Sequence, residues 1–333
     1  MNTRITIIGL GCVGSSIGLA LRKREPSLEV IGHDIDPTVA RKAAQRGAVS
    51  KTHWNLPAAC EQAAMVILAL PLPAVRETLG VVGPHLEEGC VVTDTATLKV
   101  PVLEWARKSL PAHVRFVTGL PIPGPKAPVN EPLMGADAAR ADLFEDGFYC
   151  ITPAADTDPD AVTALLGLIQ AIGARPLFMD PIECDGLQAG AADLPTFIAV
   201  ALLRTLVESP GWTDMRKLLG YHFALLTGPV VADAAAWRME TLLNRENLLR
   251  RLDMFLEEVS RIRQWLLEND EQALESAYTQ AAWGRARWLQ ERARGMPEGA
   301  GEPVPFPSMG EQIARMFFGD LVRRRPPEGN RSP

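Results

Sequence analysis

Residues 4 to 24 read RITIIGLGCVGSSIGLALRKR, and the reading of this stretch decides the fold. Arg4-Ile5-Thr6-Ile7-Ile8 is a short β-branched run of the kind that forms a buried strand, and Ser15 to Arg24 carries the spacing of a helix. Between them stands Gly9-Leu10-Gly11-Cys12-Val13-Gly14. Such a glycine triplet is a weak signal alone and a specific one between a strand and a helix. Gly9 permits the tight turn, Gly11 lets the backbone approach a pyrophosphate, and Gly14 lets helix and strand pack closely. The helix start, with Cys12 and Val13, then presents free N–H groups and a positive dipole end to the anion.

Asp34 ends the second apolar run, 20 positions after Gly14. A carboxylate there accepts hydrogen bonds from a ribose diol and repels a 2′-phosphate. Asp36 adds a second negative charge and no Arg follows until Arg41, so NAD is expected over NADP. The run from Val66 to Leu70 ends at Pro71, and Leu70 and Pro71 are expected to lie along the cofactor at the carboxyl edge of the sheet. Strands are expected near 3 to 9, 28 to 34, 64 to 70, 90 to 94, 114 to 118, 147 to 152 and 174 to 179, alternating with helical patterns. That alternation implies βαβ units around a doubly wound, mostly parallel sheet. From about 182 to 294 the strand signal vanishes, and Leu248, Leu252, Phe255, Val259, Ile262 and Leu266 recur at helical spacing. The expected architecture is therefore an α/β Rossmann-type domain over 1–180 and an all-helical domain over 181–294. Residues 295–333 begin as a Pro/Gly-rich linker, and Met309, Ile313, Met316, Phe317 and Leu321 mark a short amphipathic C-terminal helix.

The chain has 333 residues, 47% of them hydrophobic, and a net charge of -6. That balance argues against a nucleic-acid or anionic-membrane binder, which needs clustered Lys and Arg. Five scattered cysteines without ligand spacing fit a reducing, cytoplasmic compartment and no metal site. The apolar start is better explained by the glycine turn than by a signal peptide. The apolar stretches near 63–75 and 186–206 carry Pro or Asp and are expected to be too short or too interrupted to span a bilayer.

Taken in order, these segments resemble the prephenate and arogenate dehydrogenases of tyrosine biosynthesis over about residues 3 to 290. The resemblance rests on GLGCVGSSIGLAL, on VIGHDIDP, on TDTATLK at 93–99, on ADLFEDGFYCITP at 141–153, and on Trp237 followed by an Asn in AWRMETLLNRENLL at 236–249. It implies NAD, a helical domain that pairs two chains into a homodimer, and oxidative decarboxylation of a small cyclohexadienyl carboxylate. Family members carry Asp-x-x-Ser-x-Lys, matched by Asp94, Thr97 and Lys99. The resemblance places Asp94 at the cofactor and Thr97 where a serine touches substrate and a catalytic histidine. Thr97 has a second reading as a helix N-cap ahead of Leu98, and Lys99 is a candidate acid or base.

The next family motif, His-Pro-x-x-Gly, reads Leu120-Pro121-Ile122-Pro123-Gly124. By resemblance, the residue that takes the substrate's hydroxyl proton is replaced by Leu120, inside TGLPIPGP at 118–125, which reads as a Pro/Gly-rich loop. The family's Ser-His-x-Pro-His appears as Ala192-Asp193-Leu194-Pro195-Thr196, and the acidic position after the first motif is Lys126. The substrate-binding arginine aligns with Lys217, in a segment that also holds Asp214 and Arg216, and a lysine does not reproduce a bidentate guanidinium clamp. About eleven residues around 221–231 are inserted before Trp237 and bring in His222. The nucleotide half thus stands intact while the substrate half changes together. Thr97, Lys99, Asp193 and His222 are the candidates for the missing proton acceptor, and Leu120, Lys126, Asp214, Arg216, Lys217 and Trp237 are the substrate-side candidates. Three readings stay open: a prephenate/arogenate-type dehydrogenase, an NAD-dependent dehydrogenase for another carboxylate, and a non-catalytic NAD-binding dimer. A general base contributes about 10²- to 10⁴-fold, so the first reading survives the loss of the histidine as a slower enzyme.

Overall fold

The computed structural model describes residues 3–129, 133–230 and 233–295; the amphipathic helix and all but the first residue of the linker expected over 295–333 lie outside the described residues. Eight strands form one sheet: β1 (Arg4–Ile8), β2 (Glu29–His33), β3 (Lys51–Thr52), β4 (Met65–Leu68), β5 (Val91–Asp94), β6 (Arg115–Ile122), β7 (Phe148–Thr152) and β8 (Arg175–Phe178). Their order is β3-β2-β1-β4-β5-β6-β7-β8, with β6 and β7 antiparallel and every other neighbouring pair parallel. The intervening helices are α1 (Cys12–Arg24), α2 (Pro37–Gln45), α3 (Leu56–Ala59), α4 (Leu72–Val82), α5 (Val100–Ser109) and α6 (Pro159–Ile172).

β4 and β5 read as near-continuous apolar runs because helices cover both faces of the sheet. Alternate side chains go to opposite faces: Ile5, Ile7, Met65 and Ile67 pack with α1 and α6, whereas Ile8, Val66, Leu68 and Val92 pack with α4 and α5. The strand order reverses between β1 and β4, and the carboxyl ends there open a crevice where ligands of such sheets bind.

Two local expectations change. β3 was not expected, since two exposed residues carry no apolar pattern. The segment 118–125 is not simply a loop, because β6 runs on to Ile122. β6 pairs with β5 only as far as Thr118, and beyond that it is held by β7 alone, with Leu120 opposite Cys150 and Pro121 opposite Tyr149. Its free edge tolerates a proline, which has no N–H to give to a ladder.

The rest of the described chain is helical: α7 (Pro181–Gln188), α8 (Leu194–Val207), α9 (Trp212–Met215), α10 (Tyr221–Thr227), α11 (Ala234–Leu243), α12 (Arg245–Glu268) and α13 (Glu271–Ala293). A π-helical turn, Ala189–Asp193, joins α7 to α8 without a break. The continuous run Pro181–Val207 has 27 residues and a mean hydropathy of 1.5, long and apolar enough by length and composition to cross a membrane, contrary to the sequence expectation. Of its three acidic residues, Glu183, Asp185 and Asp193, the two aspartates are buried against the protein and hydrogen-bonded there, so one side of the run is packed on the protein, while only 17% of its apolar window is buried in the single chain. The molecule is an α/β Rossmann-type unit with a helical C-terminal half.

Candidate active site

The glycine turn is built as its residue types demand. Gly9 has φ +91°, and a Cβ there would lie 2.2 Å from the Ala69 carbonyl oxygen; a Cβ on Gly14 would lie 1.9 Å from the Gly9 carbonyl oxygen. Gly11 differs from both, since a Cβ there would meet nothing within 4 Å. The absent side chain of Gly11 therefore serves an outside occupant rather than internal packing. Gly11 caps α1 without a side-chain hydrogen bond, the first turn carries no acidic residue, and the first helical bond runs from Ser15 N to Gly11 O at 3.0 Å. The N–H groups of Cys12, Val13 and Gly14 are left for an anion. Burial pushes the Cys12 thiol up, so it stays a neutral, packed side chain at this helix start.

Asp34 sits at the end of β2 and braces the turn: its Oδ2 accepts from Leu10 N at 2.7 Å and its Oδ1 from Asp36 N at 2.9 Å. The carboxylate oxygens retain lone pairs for a ribose diol. Of the next basic residues, Arg41 is exposed, whereas Lys42 and Arg46 turn away to Asp137 and to the Asp137 and Ala139 carbonyls. Half-buried Leu70 and exposed Pro71 follow β4 on the same edge, next to Ala69, whose N–H binds the end of β1 at 2.8 Å. These residues together fit a dinucleotide.

Asp94 and Lys99 do not stand where the sequence suggested. Both are fully buried, and Lys99 Nζ donates to Asp94 Oδ1 at 2.8 Å and to the Gly119 carbonyl at 2.7 Å. Asp94 Oδ1 also accepts from Ala96 N at 2.9 Å. The ion pair joins the end of β5 to β6 beneath the site, so Asp94 faces Lys99 instead of the nucleotide crevice. Lys99, closed in on all sides, is a brace and has no path to exchange a proton with a substrate.

Thr97 is not the N-cap of the following helix either. α5 begins at Val100, and its first N–H groups are capped from the other half of the molecule, where Asp185 accepts from Lys99 N at 2.6 Å and from Val100 N at 3.1 Å. Thr97 Oγ1 instead donates to Glu240 Oε1 on α11. Asp193 lies next in this group, its Oδ2 accepting from Asn244 Nδ2 at 3.0 Å, and the same Asn244 nitrogen donates to the Asp185 carbonyl at 3.0 Å. The π-helical turn after α7 brings Asp185 and Asp193 to the same inner side of the run; such turns recur at functional sites. Burial pushes all three carboxyls, Asp185, Asp193 and Glu240, above the ordinary carboxylate range.

The substrate-side candidates divide. Trp237 lies one turn before Glu240 on α11, and Leu120 is half-buried next to Gly119, whose carbonyl holds Lys99. Lys126 instead pairs with Glu145 at 3.3 Å on the surface, and Lys217 pairs with Asp214 at 2.7 Å within its own exposed turn. Arg216 is exposed beside them, and His222 is exposed on α10 in an edge contact with Tyr221. Among the described residues, no hydrogen bond or ion pair joins Lys126, Asp214, Arg216, Lys217 or His222 to Thr97 or Glu240. Glu240, Asp185 and Asn244 escaped the sequence reading as site residues. A signal existed for two of them: Trp237, Glu240 and Asn244 stand at i, i+3 and i+7, one face of a helix.

Residues 17–177 match the family described as prephenate dehydrogenase, nucleotide-binding domain, and residues 180–280 match prephenate dehydrogenase, dimerization domain. The chain belongs to the prephenate dehydrogenase family. It is 30% identical over 278 residues to the prephenate dehydrogenase of Bacillus subtilis, covering 82% of this chain and 73% of that protein. It is 27% identical over 268 residues to the cyclohexadienyl dehydrogenase of Zymomonas mobilis, covering 80% of this chain and 89% of that one. Among solved structures, the prephenate dehydrogenase of A. aeolicus in complex with hydroxyphenyl propionate and NAD+ superposes with a TM-score of 0.74 at 23% identity, over 86% of this chain and 98% of that one. The fold thus matches that of a family structure along nearly the whole described chain.

Proposed function

We propose that this member of the family is an NAD-dependent dehydrogenase that oxidatively decarboxylates a small cyclohexadienyl carboxylate of the prephenate or arogenate type in tyrosine formation. The carrying observation is the placement of the open Gly11 cradle and the Thr97 hydroxyl on the same carboxyl edge of one sheet, the cradle after β1 and the hydroxyl after β5. Residues 1–180 form the nucleotide unit, in which Gly9, Gly11, Cys12, Val13, Gly14, Asp34, Leu70 and Pro71 hold the cofactor. Residues 181–294 supply the helical wall of the substrate side, with Trp237 one turn before the Glu240 that Thr97 touches. NAD, when bound, accepts the hydride. The chain's own work is to hold the ring against Thr97, to take the proton of the ring hydroxyl, and to keep water out with apolar side chains such as Leu120. Leu120 occupies the position at which the family motif carries histidine.

The assay is direct. Purified protein with NAD and either prephenate or arogenate is expected to form NADH and the aromatic acid. NADP is expected to support at least about tenfold less turnover, roughly 1.4 kcal/mol, since the Asp34 carboxylate would face its phosphate. No NADH from either acid would overturn the reading and leave a nucleotide-binding dimer or another carboxylate substrate.

The protein also works as a homodimer in the cytoplasm. Leu242, Leu249, Leu256, Trp283 and Trp288 are all more than half exposed in the single chain, at 62, 55, 56, 76 and 52%. Leu243 is exposed as well and Trp265 is half-buried. An apolar surface this rich marks an interaction face. Light scattering at micromolar concentration should give twice the 36.2 kDa chain mass, and a monomeric mass would refute the dimer.

A further inference from the structure

We propose that Glu240 is the proton acceptor of this site, with Thr97 as the hydroxyl that orients it and Asp193 and Asn244 as positioning residues. The inference rests on the reaction proposed above and names the group that performs its proton transfer. A base is needed where a hydroxyl is oxidised, and Leu120 supplies none. Thr97 marks the place, and Glu240 is the ionisable side chain that Thr97 Oγ1 touches.

The other candidates have other tasks. Asp185 is engaged by Lys99 N and Val100 N, so it caps α5. Lys99 is enclosed by Asp94 and Gly119. Asp193 is buried behind Asn244 and touches neither Thr97 nor Leu120. His222 lies on the exposed side of α10. Glu240 alone combines a contact to Thr97 with an oxygen, Oε2, that has no hydrogen-bond partner among the described residues.

The electrostatics suit the role. Burial pushes the Glu240 carboxyl up, the Thr97 hydrogen bond pulls it down, and the neighbouring Asp193 pushes it up again. Asp193 and Asp185 are the buried charged groups on the α7–α8 run; its Glu183 and Arg204 are exposed. Arg76 and Glu77 on α4, Arg238 on α11, and Arg245 and Glu246 in the first turn of α12 are among the charges of α11 and the helices packed around it. Among the described residues none of these cations forms an ion pair with Glu240. A carboxylate so placed is a stronger base than one in water, which is what a general base near neutral pH requires.

The step balances without another reactant. The substrate O–H bond breaks toward Glu240, the hydride on the same carbon leaves for the oxidised nicotinamide, and the ring–carboxylate bond breaks to release carbon dioxide. The electron pair of that last bond aromatises the ring onto its oxygen, which takes the proton back from Glu240.

Glu240→Gln tests this, since the amide oxygen still accepts from Thr97 and the fold is kept. In the wild type, kcat should rise with pH along one limb set by a carboxyl above the usual range, because only the ionised form accepts a proton. The variant should lose about 10²-fold or more in kcat and lose that limb, with KM and NAD affinity by calorimetry within threefold. Independently of turnover, the infrared difference between cofactor-free wild type and variant should show a protonated carboxyl that titrates above the usual carboxylate range. Turnover within threefold of wild type, an unchanged limb, or no titrating carboxyl in the difference would overturn the assignment. An inactive wild type would instead sink the proposed reaction, so the two failures are told apart by the wild-type assay.

Discussion

Gly11→Val is expected to abolish NAD binding while leaving the protein folded. At Gly11 the backbone has φ -65° and ψ -162°, an extended conformation open to any residue, and a Cβ would meet nothing within 4 Å. The valine side chain therefore enters space that the protein does not use and that a pyrophosphate needs. Losing two charge-assisted hydrogen bonds from the helix start costs about 3 kcal/mol or more, roughly 100-fold or more in Kd. Calorimetry reads the loss, and circular dichroism with the melting temperature reads the intact fold. Gly14→Ala is the contrast, because its Cβ would sit 1.9 Å from the Gly9 carbonyl oxygen and disturb the turn itself. NAD affinity within threefold of wild type in a folded Gly11→Val protein would show that the anion does not lie over this turn.

The difference between these two glycines also explains what was legible in the sequence. The nucleotide half is written locally: strand, turn, helix and Asp34 all fall within 31 residues, Arg4 to Asp34, and each residue type has one steric or electrostatic reason to be there. The substrate half is assembled over long separations. Thr97 meets Glu240 across 143 positions, Lys99 meets Asp185 across 86, and Arg292 reaches the Gly124 carbonyl across 168. No local pattern announces such contacts. Asp94 and Lys99 illustrate the cost of reading them locally, since a motif match suggested active groups and the sheet encloses both. His222 differs in the other direction, chemically suitable and exposed on α10 beside Tyr221. The i, i+3, i+7 face of Trp237, Glu240 and Asn244 was readable, but only with Thr97 already known to meet Glu240.

The buried Asp94–Lys99 pair carries the second large effect. Lys99→Met keeps the length and removes the charge, leaving Asp94 fully buried without its cation and the Gly119 carbonyl without its donor. Removing one partner of a buried pair costs about 3–5 kcal/mol, since the remaining charge has no compensation. The melting temperature should fall by roughly 4–7 °C for a chain of 333 residues. Attraction alone does not account for that loss. Asp94 Oδ2 already lacks a partner, so much of the pair's Coulomb gain offsets the cost of taking both groups out of water. The double variant Asp94→Leu, Lys99→Met should therefore recover most of the stability. A deficit of about 1–3 kcal/mol should persist, because Ala96 N and the Gly119 carbonyl lose their partners. Denaturant melts of the four proteins close the cycle. A single Lys99→Met loss below about 1 kcal/mol would mean that water reaches the pair and that the end of β5 is open to solvent. In that case Lys99 would regain the access that burial denies it, and a proton-transfer role for it beside Thr97 would have to be reconsidered.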